Sequence, residues 1–123
     1  MAKIERFEDI RAWQMARELT NQIYELTNQG EFARDFKLRD QIRDAAGSIM
    51  HNIAEGFDDG SDGEFVHFLK YSRRSASEVQ SELYLALDRH YITEEQFQNA
   101  YNRCTETKKS INAFITYLRK SKR

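Results

Sequence analysis

Residues 41–57 read QIRDAAGSIMHNIAEGF, and the period of this stretch decides the fold. At about 100° per residue, Leu38, Ile42, Ala45, Ala46, Ile49, Ile53 and Gly56 fall on one face of a helix. Gln41, Ser48, Asn52 and Glu55 fall together on one shoulder of that face. A solvated helix flank typically carries Lys and Glu. Short uncharged polar groups beside an apolar stripe instead predict hydrogen bonds to another helix.

The same period recurs on both sides of this segment. A first helix is expected over about 8–29, with Ala12, Trp13, Ala16, Leu19, Thr20, Ile23 and Leu26 as its apolar face and Gly30 as a stop signal. Phe32 and Phe36 are available to pin the following connection to the core. The second helix is expected over about 38–56. Ser61-Asp-Gly-Glu64 is a capping-box pattern that opens a third over 62–89, whose face runs Phe65, Phe68, Leu69, Ser72, Ala76, Val79, Leu83, Ala86 and Leu87. A second box, Thr93-Glu-Glu-Gln96, opens a fourth over 94–119. Its face is Phe97, Ala100, Cys104, Thr107, Ile111, Ile115 and Leu118, in near-heptad spacing. Tyr91 and Ile92 fill the short turn before it. Four amphipathic segments with short connections predict a single all-α domain over 1–123, an antiparallel up-down four-helix bundle.

Composition agrees. Proline is absent, glycine occurs five times and 32% of residues are charged, as suits a helical protein with one modest core. The net charge of −1 gives no global bias toward polyanions or membranes. No apolar run approaches a membrane span, and MAKIERFED lacks a secretory h-region, so a cytoplasmic location is expected. Cys104 is the one cysteine and stands at a core position, so it reads as a buried structural thiol in a reducing compartment. Charge is nonetheless uneven. Asp58, Asp59, Asp62 and Glu64 make 58–64 acidic, whereas 93–123 holds 7 basic and 3 acidic residues, a balance of +4.

The third and fourth helices carry more apolar surface than one core needs. Tyr71 and Leu85 lie off the main stripe on one side of the third, Val66 and Tyr84 on the other, and Tyr117 is displaced on the fourth. Wide apolar faces predict self-association.

FEDIRAWQMARELTNQIYELT (7–27), QIRDAAGSIMHNIAEGF (41–57), GEFVHFLKYSRRSASEVQSELYLAL (63–87) and the HYIT turn (90–93) carry a resemblance over nearly the whole chain. It is to the four-helix-bundle proteins encoded in intervening sequences of bacterial 23S rRNA genes. That family resembles, in turn, the accessory variability protein of diversity-generating retroelements. The resemblance implies a barrel-like homopentamer and no established enzymatic activity. For the retroelement relative it implies binding to nucleic acid and to a reverse transcriptase through basic surface. Two departures stand out. Met50 and His51 replace the proline and small polar residue usual in the second helix, which predicts a straighter helix here. The connection DDGSDGE is acidic where the family's is often basic, and an acidic loop repels phosphate.

Other chemistry is weakly signalled. Glu64 and His67 have the Glu-x-x-His spacing of di-iron bundles, but those sites need a second such pair and two further inward glutamates. Asp58, Asp62 and Gly63 look faintly like a calcium loop, yet Gly60 and Leu69 stand where ligands belong. His51, His67 and His90 sit in no catalytic motif, and no phosphate-cradling glycine loop exists. Neither an enzyme nor a cofactor is expected.

The polar shoulder has a potential counterpart on the third helix, where Ser75, Glu78 and Glu82 lie together. Partly buried carboxylates need cationic or amide partners, from Arg39 and Arg43 or from a neighbouring subunit's Arg73 and Arg74. Gln41, Ser48, Asn52, Glu55, Ser75, Glu78 and Glu82 thus read as a structural network fixing helix register or subunit packing. The nucleic-acid candidates are Arg39, Arg43, Lys70, Arg73, Arg74, Lys108, Lys109, Arg119, Lys120, Lys122 and Arg123. Repeated around a ring, a modest patch becomes a positive band. The expectation is a cytoplasmic, non-enzymatic homo-oligomer, by the resemblance a pentamer, that attaches to RNA or DNA by phosphate contacts. A reverse transcriptase or another protein is a further possible partner. The alternative is a protein-interaction scaffold with no nucleic-acid role.

Overall fold

The computed structural model describes residues 4–120, which form an all-α four-helix bundle. Its helices are α1 (Arg11–Thr27), α2 (Phe36–Asp59), α3 (Asp62–Asp88) and α4 (Glu94–Lys120). Short 3-10 turns at Phe7–Asp9 and Phe32–Arg34 lead into α1 and α2. Packing closes a cycle in which α1 meets α2 and α4, and α3 meets α2 and α4.

The ends of the helices follow local chemistry. α1 starts at Arg11 rather than near Glu8, because the Asp9 carboxylate accepts from the Arg6 amide at 3.2 Å and holds a tighter turn. It closes at Thr27, and Gly30 turns the chain at φ +53°. α2 begins two residues earlier than the apolar pattern indicates, since Asp35 caps it by accepting from the Leu38 amide at 3.2 Å. It also runs on to Asp59 without a break and stops at Gly60, φ +91°. Ser61 caps α3 through the Glu64 amide at 3.2 Å. The Thr93–Gln96 box forms in both directions, at 2.9 and 3.1 Å.

One core fills the bundle. Leu19, Ile23, Ile42, Ile49, Ile53, Leu69, Val79, Leu83 and Ile111 are fully enclosed, and Cys104 lies among them. Burial pushes the Cys104 thiol up to about 12, so it is an inert filler. Phe32 is sealed and stacks on Tyr91 at 5.4 Å, pinning the α1–α2 connection as expected. Phe36 does not share this role. It is 63% exposed, because it stands on the outer face of the first turn of α2, where the Arg39 guanidinium covers its ring at 4.8 Å.

The α2–α3 seam is the most extensive helix contact, and it is tight at Gly56. A Cβ on Gly56 would lie 2.7 Å from Phe65 Cδ1 and 2.9 Å from Phe68 Cβ, inside any tolerable contact. Further along, the buried Ser72 hydroxyl donates to the Ile49 carbonyl at 2.7 Å, and Ser75 donates to Ser48 Oγ at 3.0 Å. Small and hydroxylated residues thus let two backbones approach where Leu would hold them apart. Across α3 and α4 the pairs are Arg73 with Asn112, Gln80 with Thr105 and Tyr84 with Phe97.

The two glycines of α2 make opposite predictions. Gly56→Ala should cost roughly 1–3 kcal/mol through overpacking. Gly47→Ala, whose new methyl would meet only the His51 ring at 3.8 Å or more, should gain about 0.5–1 kcal/mol of helix propensity. Urea denaturation of both variants checks this; equal midpoints would mean that the seam is not close-packed at Gly56.

Candidate functional site

The polar shoulder of α2 divides into three parts. Asn52 Nδ2 donates to the Ser48 carbonyl at 2.8 Å and to Ser48 Oγ at 3.0 Å, and Ser48 also receives Ser75. Ser48, Asn52 and Ser75 therefore form a continuous interhelical link. Glu55 is exposed and borders a shallow pocket with Tyr24, Arg43, Asp44, His51 and Asn52. Gln41 joins a different recess, between α2 and α3, with Asp44, Ala45, Ser48, Glu78 and Glu82.

Glu82 is the unusual member of that recess. Its residue surface is 8% exposed, and Oε1 is enclosed with no hydrogen-bond partner. Burial, reinforced by the Glu78 and Asp44 charges, raises its carboxyl to about 7. The expected cationic partners do not reach it within the chain. Arg39 is held by Asp40 at 2.9 Å and by the Ala33 carbonyl at 3.1 Å, and Arg43 turns toward α1 to meet Thr27 Oγ1 at 2.8 Å. Arg73 spans to Asn112 on α4.

The basic candidates fall on two faces. Arg39 and Arg43 line the α1–α2 side, where Arg43 also covers the Tyr24 ring at 4.6 Å. Arg73 and Lys108 bridge α3 and α4, and Arg74 stands exposed on α3. Arg73 Nη1 donates to Asn112 Oδ1 at 2.6 Å, Arg74 lies over the Tyr71 ring at 5.2 Å, and Lys108 Nζ donates to Gln80 Oε1 at 3.1 Å. Gln80 is itself fixed by donating to Thr105 Oγ1 at 3.0 Å. Arg43, Arg73, Arg74 and Lys108 are thus braced by neutral groups and keep their charge, whereas Arg39 and Lys109 pair with Asp40 and Glu106. Lys70, Arg119 and Lys120 are exposed. Lys122 and Arg123 lie outside the described residues.

Several participants escaped sequence reasoning. Asp44 belongs to the line Gln41–Ser48–Asn52 at spacing 3, 4 and 4, but a charged residue on a helix flank reads as solvated. Ser72 looked like a small residue of the apolar stripe and is a buried donor. The Gln80–Thr105–Lys108 bridge had no signal, since it needs the register of α3 on α4. The Glu64–His67 pair gains no metal partners. His67 Nε2 lies 2.9 Å from the Tyr71 hydroxyl, and no group of three His, Cys, Asp or Glu among the described residues is placed to hold a metal ion.

The raised Glu82 carboxyl has a signed consequence. The folded state holds this proton to about 7 and an ordinary carboxyl releases it near 4.5, so folding stability falls as pH rises through that window. Glu82→Gln removes the penalty. The variant should match the parent at pH 4.5 and be more stable at pH 8, by chemical denaturation at both values; equal stability at pH 8 would place the carboxylate in solvent.

No helix of the described residues is long and apolar enough to cross a membrane. The family model for 23S rRNA-intervening sequence proteins matches residues 8–113. The structure is similar to a crystal structure of a protein of unknown function from the S23 ribosomal protein family of Bacteroides thetaiotaomicron. The TM-score is 0.76 at 27% identity, over 85% of this chain and 97% of that one. No curated protein matches the chain. With the match spanning every helix from α1 into α4, this chain belongs to the 23S rRNA-intervening sequence protein family.

Proposed function

We propose that this protein is a cytoplasmic, non-enzymatic accessory protein that self-associates and attaches to RNA or DNA through phosphate contacts from its α3–α4 face. The observation that carries this reading is the bracing of Arg73, Arg74 and Lys108 by Asn112, Tyr71 and Gln80. Neutral braces hold a cation in place without cancelling its charge, which is what a preorganised phosphate contact needs. A side chain held by a carboxylate would have to exchange one anion for another. Lys70, Arg119 and Lys120 are exposed and add positive charge to α3 and α4.

The bundle is antiparallel and up-down in this reading. Ser48 meets Ser75 and Ile49 meets Ser72 while Gly56 abuts Phe65, so residue numbers fall along one helix as they rise along its neighbour. The assembly is a ring, a pentamer by family resemblance. Tyr71, Tyr84, Leu85 and Tyr117, all at least 36% exposed, supply apolar surface for it. The same residues favour a second reading, in which they dock another protein such as a reverse transcriptase and nucleic acid plays no part.

Titration with structured RNA and with duplex DNA at rising salt separates the two. The leading reading predicts affinity that falls steeply with salt. The double substitution Arg73→Gln, Arg74→Gln should weaken binding to all sequences alike and reduce the logarithmic salt slope by about one for each phosphate contact removed. No binding at low salt, or binding indifferent to salt, contradicts it. Light scattering at micromolar concentration tests the ring, and a strict monomer would remove it.

A further inference from the structure

We propose that the α3–α4 seam binds single-stranded nucleic acid, with a base stacked on Tyr84 and neighbouring phosphates on Lys108 and Arg73. Two matched lines of side chains form the seam. On α3 they are Arg73, Ser77, Gln80 and Tyr84, and on α4 Tyr101, Thr105, Lys108 and Asn112, both spaced 4, 3 and 4 in sequence. Cross-helix rungs tie the lines together. Arg73 donates to Asn112 at 2.6 Å, and Gln80 donates to Thr105 at 3.0 Å and accepts from Lys108 at 3.1 Å. The Tyr84 ring closes the series, 4.8 Å from the Phe97 ring and 5.9 Å from that of Tyr101. Neither line holds an aspartate or a glutamate. Arg73 and Lys108 enter no ion pair among the described residues.

The aromatic end of the seam supplies what phosphate contacts alone do not need. Phe97 is buried and Tyr101 packs on it at 5.5 Å, so Tyr84 stands against two rings that are themselves anchored. Both meet it at an angle, 56° and 74°, and the residue stays 49% exposed. A ring propped in place and half open is a stacking platform that has little side-chain freedom left to lose on binding. Tyr71 and Leu85 lie off the apolar stripe on its other side, so self-association through them leaves Tyr84 open. The form of the ligand follows from the spacing. Arg73 and Tyr84 are about 16 Å apart along α3, so a ligand touching both is an extended chain lying along the seam. Bases of a duplex stack on one another and offer Tyr84 no free face, whereas those of a single strand do. Gln80 is the amide that could read a base edge, but Thr105, the Tyr101 carbonyl and Lys108 already occupy it, so the seam reads no sequence.

The stacked base rests on the phosphate attachment proposed above, and the test separates the two. Fluorescence anisotropy at low salt compares a labelled single strand, the same strand made abasic, and a duplex, each with the full chain. The abasic strand keeps every phosphate and has no base to stack. The base-bearing strand should bind about tenfold more tightly than the abasic one, the scale of one base on an aromatic side chain. Tyr84→Leu, which keeps apolar volume against Phe97, should abolish that difference and leave the abasic and duplex affinities unchanged. Tyr84→Phe should preserve it. A fluorescent purine analogue in the strand, whose emission falls on stacking, should be quenched by the parent and by Tyr84→Phe but not by Tyr84→Leu. Ribose and deoxyribose strands should both show the contrast, since every base has an aromatic face, and the two series tell which binds more tightly. Equal affinity for base-bearing and abasic strands overturns the stacked base and leaves the phosphate attachment standing. Absence of binding to every nucleic acid overturns both. The proposal also fails if Tyr84→Leu changes the assembly seen by light scattering, because Tyr84 is then covered by another copy of the chain.

Discussion

The close approach of α2 to α3 is the constraint on which the rest of the molecule depends. Gly56 admits the Phe65 ring and the Phe68 Cβ, and Ser72 and Ser75 then reach Ile49 and Ser48 across the same seam. Each hydroxyl replaces a contact with water by one with the opposite helix, and each net gain is modest, about 1 kcal/mol. Their larger effect is on register. A slip of one residue would leave buried hydroxyls unpaired and drive Phe65 into backbone, so one alignment is selected over its neighbours.

That alignment sets what the outside presents. With α3 fixed on α2, Gln80 and Arg73 face α4, where Thr105, Lys108 and Asn112 complete the bridges. The opposite flank of α3 places Glu78 and Glu82 beside Asp44, leaving an acidic recess next to the seam. One helix thereby separates the Arg73 and Lys108 bridges from a recess lined by carboxylates. Surfaces of opposite sign on one small bundle are suited to packing against copies of themselves as well as to binding polyanions on one side only.

The helices were legible in the sequence because their apolar period is long and their caps are written in Ser, Thr, Glu and Gln. Their ends were less so. Asp35 and Asp9 act through backbone amides at positions where the apolar pattern has no bearing, and Phe36 resembles a core residue until its place in the first turn of α2 turns it outward. Of the polar shoulder, Ser48 and Asn52 join Ser75 in a link between the helices. Gln41 and Glu55 share its helical angle but border separate recesses, and an angle says nothing of what stands opposite. Within the chain Arg39 and Arg43 meet Asp40 and Thr27 instead of Glu82, contacts that are visible only once the helices are paired.

Native-state hydrogen exchange tests the central role of the α2–α3 seam most directly. If the seam organises the bundle, the slowest amides lie at 46–53 of α2 and 72–79 of α3, and both sets open together at the free energy of global unfolding. Slowest exchange in α1 or α4, or separate opening of α2 and α3, would contradict this account.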